Sequence, residues 1–133
     1  MGFYGGAMAY RRDNSAESSL AKLSPDYSDE EIRRIWEGNE FATPYLLPAL
    51  LTLDLTSIRK INVPLILLLG RHDAIVNSEI AAAWFDSVHA PEKRLVWFEH
   101  SAHMPMTEEP GKFFLSLVRY VRPIAERTGD VAR

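Results

Sequence analysis

Residues 63–69, Val-Pro-Leu-Ile-Leu-Leu-Leu, form an unbroken apolar run that stops at Gly70-Arg71-His72-Asp73. A second run, Leu95-Val96-Trp97-Phe98, stops at Glu99-His100-Ser101-Ala102-His103. Between them lies a segment with helical spacing: Asn77 or Ser78 at the cap, then Ile80, Ala81, Trp84, Phe85 and Val88 as one stripe. Two strand-like runs joined by a helix predict a parallel strand–helix–strand unit, because parallel strands need a crossover connection. Both strands then end at the same side of the sheet. That places Asp73 beside His103, at the C-terminal strand ends where open α/β sheets do their chemistry. A run without alternation also predicts strands buried on both faces.

The flanking segments extend this plan. Ser28 and Glu31 make a capping box ahead of Ile32, Ile35 and Trp36, and Gly38-Asn39 predicts the end of that helix. Thr43-Pro44 predicts a second helix start, followed by residues 45–51, which are apolar nearly all round and call for cover on more than one side. After the second strand, Thr107-Glu108-Glu109-Pro110 predicts a helix start with acids favoured by the dipole, and Phe113, Phe114, Leu117, Val118 and Val121 continue as a buried stripe. Pro123 should end or kink that helix, and residues 129–133 read as a fraying tail. The expected organisation is a lead-in or mobile segment over 1–27, with a short helix near residues 19–23, then a helical segment over 28–60 and a strand–helix–strand–helix unit over 61–133. Two parallel strands leave both edges open, so either further strands lie in segments read here as loop or helix, or the sheet is completed from outside this sequence; the second is the expectation.

Composition narrows the function classes. The chain has 133 residues, 47% apolar and 25% charged, which describes one globular unit rather than two. Its formal net charge of -3 and scattered basic pairs give no electrostatic reason to expect nucleic acid or an anionic membrane. There is no cysteine, hence no disulfide and no thiolate nucleophile or ligand. Residues 45–55 form the longest apolar stretch, but they contain Pro48 and Asp54 and fall short of the roughly 20 residues a membrane span needs. The order of basic and apolar residues near Met1 is the reverse of a secretory signal, so a cytoplasmic location is expected.

Asp73 and His103 are the candidate catalytic residues. A histidine can take a hydroxyl proton and return it to a leaving group, while a carboxylate fixes its tautomer and stabilises the imidazolium. The alternative is that Asp73 caps a turn and His103 lies in a polar loop. Ser101 lies two residues from His103, but that places it on the same loop rather than at the end of a different strand. His72, His100, His103 and Asp73 could also be considered as metal ligands, although His-x-x-His on a loop is common by chance. No metal or cofactor is expected. Arg71 and Glu99 either pair across the strand ends or face solvent.

Residues 61–123 resemble the C-terminal part of an α/β-hydrolase, most nearly the proline-iminopeptidase-like members. Val63-Pro64, the apolar strand and Gly70-Arg71-His72-Asp73 are similar to the segment that delivers the triad acid. Ala90-Pro91-Glu92-Lys93, Leu95 to Glu99 and Ser101-Ala102-His103 are similar to the segment that delivers the triad histidine, and Glu108-Glu109-Pro110 fits ahead of the last helix. Residues 28–55 are similar in place and character to the helical lid of these enzymes. The resemblance implies a partial α/β-hydrolase fold, lid helices followed by the parallel unit, acting on peptide, amide or ester bonds. It also implies a nucleophile elbow, Gly-x-Ser-x-Gly, which precedes the lid in the family and has no counterpart here. The expected partner is a nucleophile-bearing N-terminal hydrolase portion; the alternative is a non-catalytic homo-oligomer.

Overall fold

A computed structural model describes Tyr10 and residues 22–129. The expectation of a mobile lead-in with a short helix near 19–23 lies largely outside these residues, as does the tail after Gly129. The chain divides into two compact units, Asn14–Ser57 and a second made of Met1–Asp13 with Ile58–Arg133.

The first unit is built on one helix, α1, Asp29–Thr52. Its start follows the capping box: the Ser28 hydroxyl accepts from the Glu31 amide at 3.3 Å, and the Glu31 carboxylate accepts from the Ser28 amide at 2.8 Å. Glu30 pairs with Arg33 and Arg34, and Arg33 also pairs with Glu37, so the first three turns carry ion pairs at helical spacing. The expected stop at Gly38-Asn39 does not occur. A glycine ends a helix by taking a left-handed conformation, and among the described glycines only Gly129 has a positive φ. Pro44 and Pro48 lie inside the helix rather than at the start of a second one. Each removes one backbone donor; the nearby Thr43 and Thr52 hydroxyls bond back to the carbonyls of Asn39 and Ala49 at 2.7 and 3.0 Å. The apolar half is not buried as expected. Phe41, Tyr45, Leu46, Leu50 and Leu51 are all exposed, and Ile32 is the buried residue of α1.

The second unit carries the parallel pair. Strand β1, Leu65–Gly70, runs beside β2, Lys93–Phe98, in a register that sets Leu67 against Leu95 and Gly70 against Phe98. Helix α2, Ser78–Ser87, makes the crossover, capped by Asn77 Oδ1, which accepts from the amides of Glu79 and Ile80 at 3.0 and 3.2 Å. Its far end is closed by Lys93, whose ammonium donates to the carbonyls of Phe85 and, at 2.6 Å, Val88. Phe85, Val88, Phe98 and Ala102 form the core, with Phe98 tilted against Phe113 at 6.3 Å between rings. Burial on both faces of β1 is not what the structure has: Leu65 to Leu69 are only half-buried, because the sheet consists of two strands among the described residues.

The C-terminal helix is broken rather than continuous. Helix α3, Pro105–Glu108, gives way at Glu109 to α4, Pro110–Ser116; a π-helical stretch, Leu117–Val121, leads into α5, Arg122–Thr128, which ends on left-handed Gly129. The wide turn has a local cause. Pro123 has no amide proton to donate and its ring crowds the carbonyl four residues back, so the Arg122 amide reaches Leu117 instead. The expected buried stripe is also only partly so, since Phe114 is exposed.

A test follows from α1. A Cβ on Gly38 would meet nothing within 4 Å. Gly38→Ala should therefore stabilise the helix by about 0.5–1 kcal/mol, read from urea denaturation of the full chain. Destabilisation would mean that the helix ends there.

Candidate functional site

The site grows from the ends of β1 and β2. Gly70, the last residue of β1, is buried against the loop that follows β2: a Cβ there would lie 1.8 Å from the Ala102 carbonyl oxygen and 2.7 Å from that of Ser101. No side chain fits. The absent Cβ lets the two loops lie against each other, and they are then stitched by backbone bonds, Arg71 N–H to Phe98 O at 2.9 Å and His72 N–H to Ser101 O at 3.0 Å.

On this base Asp73 and His103 come together. His103 Nδ1 lies 2.9 Å from Asp73 Oδ2, and the other carboxylate oxygen accepts from the amides of Ile75 and Val76 at 2.9 and 3.0 Å. One side of the acid thus orients the imidazole while the other is fixed by its own turn. The Asp73 side chain is 11% exposed and that of His103 33%, so the acid is shielded while the base can be reached. With Nδ1 facing a carboxylate, the neutral ring carries its proton there and leaves Nε2 as the acceptor. Among the described residues nothing occupies that acceptor. Such a ring can take a proton from a hydroxyl within hydrogen-bond reach of Nε2.

Ser101 is not that hydroxyl. It is fully buried and its Oγ donates to Glu109 Oε2 at 2.8 Å. His72 and His89 have other partners. His72 Nε2 lies 3.0 Å from the Glu99 carbonyl and its ring stacks on Tyr10 at 3.6 Å, whereas His89 bridges to Lys60 ahead of the strands. Among the described residues no group of three or more His, Asp or Glu is arranged to hold a metal ion.

Arg71 and Glu99 do pair. The guanidinium grips both carboxylate oxygens at 2.9 and 3.0 Å, reaches Glu79 at 3.2 Å, and lies over the Trp97 ring at 3.6 Å. The hydrogen bonds from Arg71 hold the Glu99 carboxyl below its ordinary value. This clip ties the strand ends two residues before Asp73 and four before His103.

Two residues of the site escape a reading of the sequence alone. Glu108 and Glu109 are placed there to serve a helix dipole, but Pro110 breaks the helix behind them and both turn back to the histidine loop. Glu109 Oε2 accepts from the His100 amide at 2.9 Å as well as from Ser101, and Glu108 Oε2 accepts from the Ala102 amide at 2.7 Å. The only sequence signal is the adjacent proline.

Gly70→Ala should cost about 2 kcal/mol or more in denaturant stability, because the obstacle is backbone that cannot rotate away; an unchanged midpoint would refute the close packing. The Arg71–Glu99 clip has a pH signature. A carboxyl whose folded pKa is depressed stabilises the fold above its unfolded value and loses that contribution as pH falls through the folded one. The stability gap between the native chain and Glu99→Gln should therefore be present at neutral pH, close below the ordinary carboxylate value of 4.5, and shrink with added salt.

The chain is similar to the probable aminopeptidase YbaC of Bacillus subtilis (strain 168), with 36% identity over 98 residues, covering 73% of this chain and 31% of that protein. It thus spans about a third of the relative's length. No family model and no solved structure gives a significant match. The helices and small parallel sheet are compatible with part of an α/β fold, and no helix among the described residues is long and apolar enough to cross a membrane.

Proposed function

We propose that this chain is the C-terminal portion of a serine hydrolase of the α/β-hydrolase kind, nearest to proline iminopeptidases, and that its nucleophile comes from polypeptide outside this sequence. The observation that carries this is the Asp73–His103 hydrogen bond at the C-terminal ends of adjacent parallel strands, with Nε2 of the imidazole left open among the described residues. The similarity to a probable aminopeptidase, along about a third of that protein's length, supports the same reading. In it, His103 takes the proton of a serine hydroxyl as the oxygen attacks a peptide, amide or ester carbonyl. It then gives that proton to the leaving group, and the acyl-serine is hydrolysed by the same sequence with water. Asp73 holds the tautomer and balances the imidazolium. Helix α1 is assigned to the lid and residues 61–133 to the C-terminal part of the catalytic core; the working enzyme is assigned to the cytoplasm.

The test is to isolate the chain from the cells that make it, treat the preparation with a fluorophosphonate, and weigh every polypeptide intact. An adduct on a serine of a second or longer polypeptide is expected, with none on Ser101. In that assembly Asp73→Asn should lower kcat by about 10⁴-fold through loss of the tautomer. An adduct on Ser101, or no adduct on anything that accompanies the chain, would overturn the proposal.

A second reading rests on a different observation: strand edges left open among the described residues, and exposed Phe114, Leu115 and Val118 in the second unit. A non-catalytic homo-oligomer would cover this surface with another copy. Sedimentation of the purified chain decides it, since a stable dimer that no fluorophosphonate labels is what this alternative requires.

A further inference from the structure

We infer that Glu109, assisted by Glu108, is a positioning residue that sets the His103 imidazole against Asp73 by anchoring the backbone just ahead of it. The role deepens the proposed function and rests on its Asp73–His103 pair, but its test does not depend on any hydrolytic activity.

Three consecutive residues lead into His103, and each is held by one of these carboxylates. Glu109 Oε2 takes the His100 amide at 2.9 Å and the Ser101 hydroxyl at 2.8 Å; Glu108 Oε2 takes the Ala102 amide at 2.7 Å. The opposite side of the same run is tied to the acid's own loop, since Ser101 O accepts from the amide of His72, the residue before Asp73. The run from His100 to Ala102 is thus gripped between the α3–α4 junction and the Asp73 turn, and His103 is the first residue beyond the grip. Moving that run displaces one partner of the pair while the other stays fixed by Ile75 and Val76.

The chemistry of the two acids argues for this role over a general surface one. Among the described residues neither is in an ion pair with Lys, Arg or His. Their hydrogen bonds go instead to neutral donors, including the Tyr10 amide at 2.6 Å on Glu108 Oε1. A charged acceptor strengthens each such bond, and one oxygen shared between a backbone amide and a hydroxyl fixes two neighbouring residues together. Both acids can face the loop because Glu109 lies between two short helices rather than within one. Ser101 acquires a purpose as well: its hydroxyl is the buried end of the anchor.

The readout is the tautomer of His103 in the uniformly ¹⁵N-labelled full chain, from long-range nitrogen–proton correlations, with the resonance identified by its loss in His103→Gln. A carboxylate at Nδ1 favours the Nδ1–H form, whereas an unrestrained imidazole favours Nε2–H. The native chain should show Nδ1–H in the majority, and Asp73→Asn should lose it. Glu109→Gln should keep the majority, because the amide oxygen accepts the same two donors. Glu109→Ala should lose it while far-ultraviolet circular dichroism remains native, and if that variant does not fold, Glu109→Asp, whose carboxylate is withdrawn by one methylene, should lose it instead. A folded Glu109→Ala or Glu109→Asp with the native Nδ1–H majority would overturn the positioning role and leave the Asp73 pair standing. A native chain without that majority would refute the pair itself and the inference with it. A merely stabilising role would shift the unfolding midpoint and leave the tautomer alone.

Discussion

The approach of Gly70 to the carbonyls of Ser101 and Ala102 is the constraint on which the site depends. Parallel pairing brings the two strand ends to the same side, but it does not by itself bring two loops into hydrogen-bonding distance. A side chain at position 70 would hold the second loop away from the first. With none present, the backbone of residues 71–73 runs against that of 98–102, and a carboxylate on one meets an imidazole on the other. The Arg71–Glu99 clip and the Glu108–Glu109 anchors act on a contact that this packing has already made possible.

The juxtaposition of Asp73 and His103 is legible in the sequence because it rests on local patterns: two apolar runs, a helical stripe between them, and polar residues after each run. These fix topology with little help from tertiary detail. Helix α1 departs from its sequence signals for the opposite reason. Gly38-Asn39 and Thr43-Pro44 are stop and start signals of about 1 kcal/mol or a few at most, and a long helix can run through them when its capping box and ion pairs hold the preceding turns. The anchors are out of reach because a glutamate near a helix start has the same appearance whether it faces solvent, its own helix or a loop. Which of these Glu109 does depends on the proline behind it and on where the histidine loop lies.

Electrostatics at the strand ends follow a division of labour. Arg71 is engaged by Glu99 and Glu79, so among the described residues no cation competes with His103 for Asp73. Glu108 and Glu109 are satisfied by amides and a hydroxyl. The acid that faces the imidazole is therefore Asp73, and the imidazole can gain a proton next to a single fixed carboxylate. That is the arrangement a general base needs, since a second mobile acid nearby would blur both the tautomer and the direction in which Nε2 points.

The half-buried strands bear on what the chain is part of. Five apolar residues in succession, Leu65 to Leu69, place side chains on both faces of β1, and among the described residues β1 with β2 offers two layers of apolar surface and two strand edges with no further strand beside them. An isolated two-stranded sheet gains little from such a sequence, because alternation would serve it better: apolar residues on the covered face and polar ones on the other. The lack of alternation is thus informative in a way that the burial of any one residue is not. It is a pattern suited to a wider parallel sheet with helices on both sides. The same logic applies within α1, where an apolar half with Phe41, Tyr45, Leu46, Leu50 and Leu51 exposed exceeds what a solvent-facing helix would carry. These surplus surfaces and the open Nε2 of His103 are independent features, one of packing and one of chemistry, and the proposal that the catalytic serine lies on further polypeptide accounts for both.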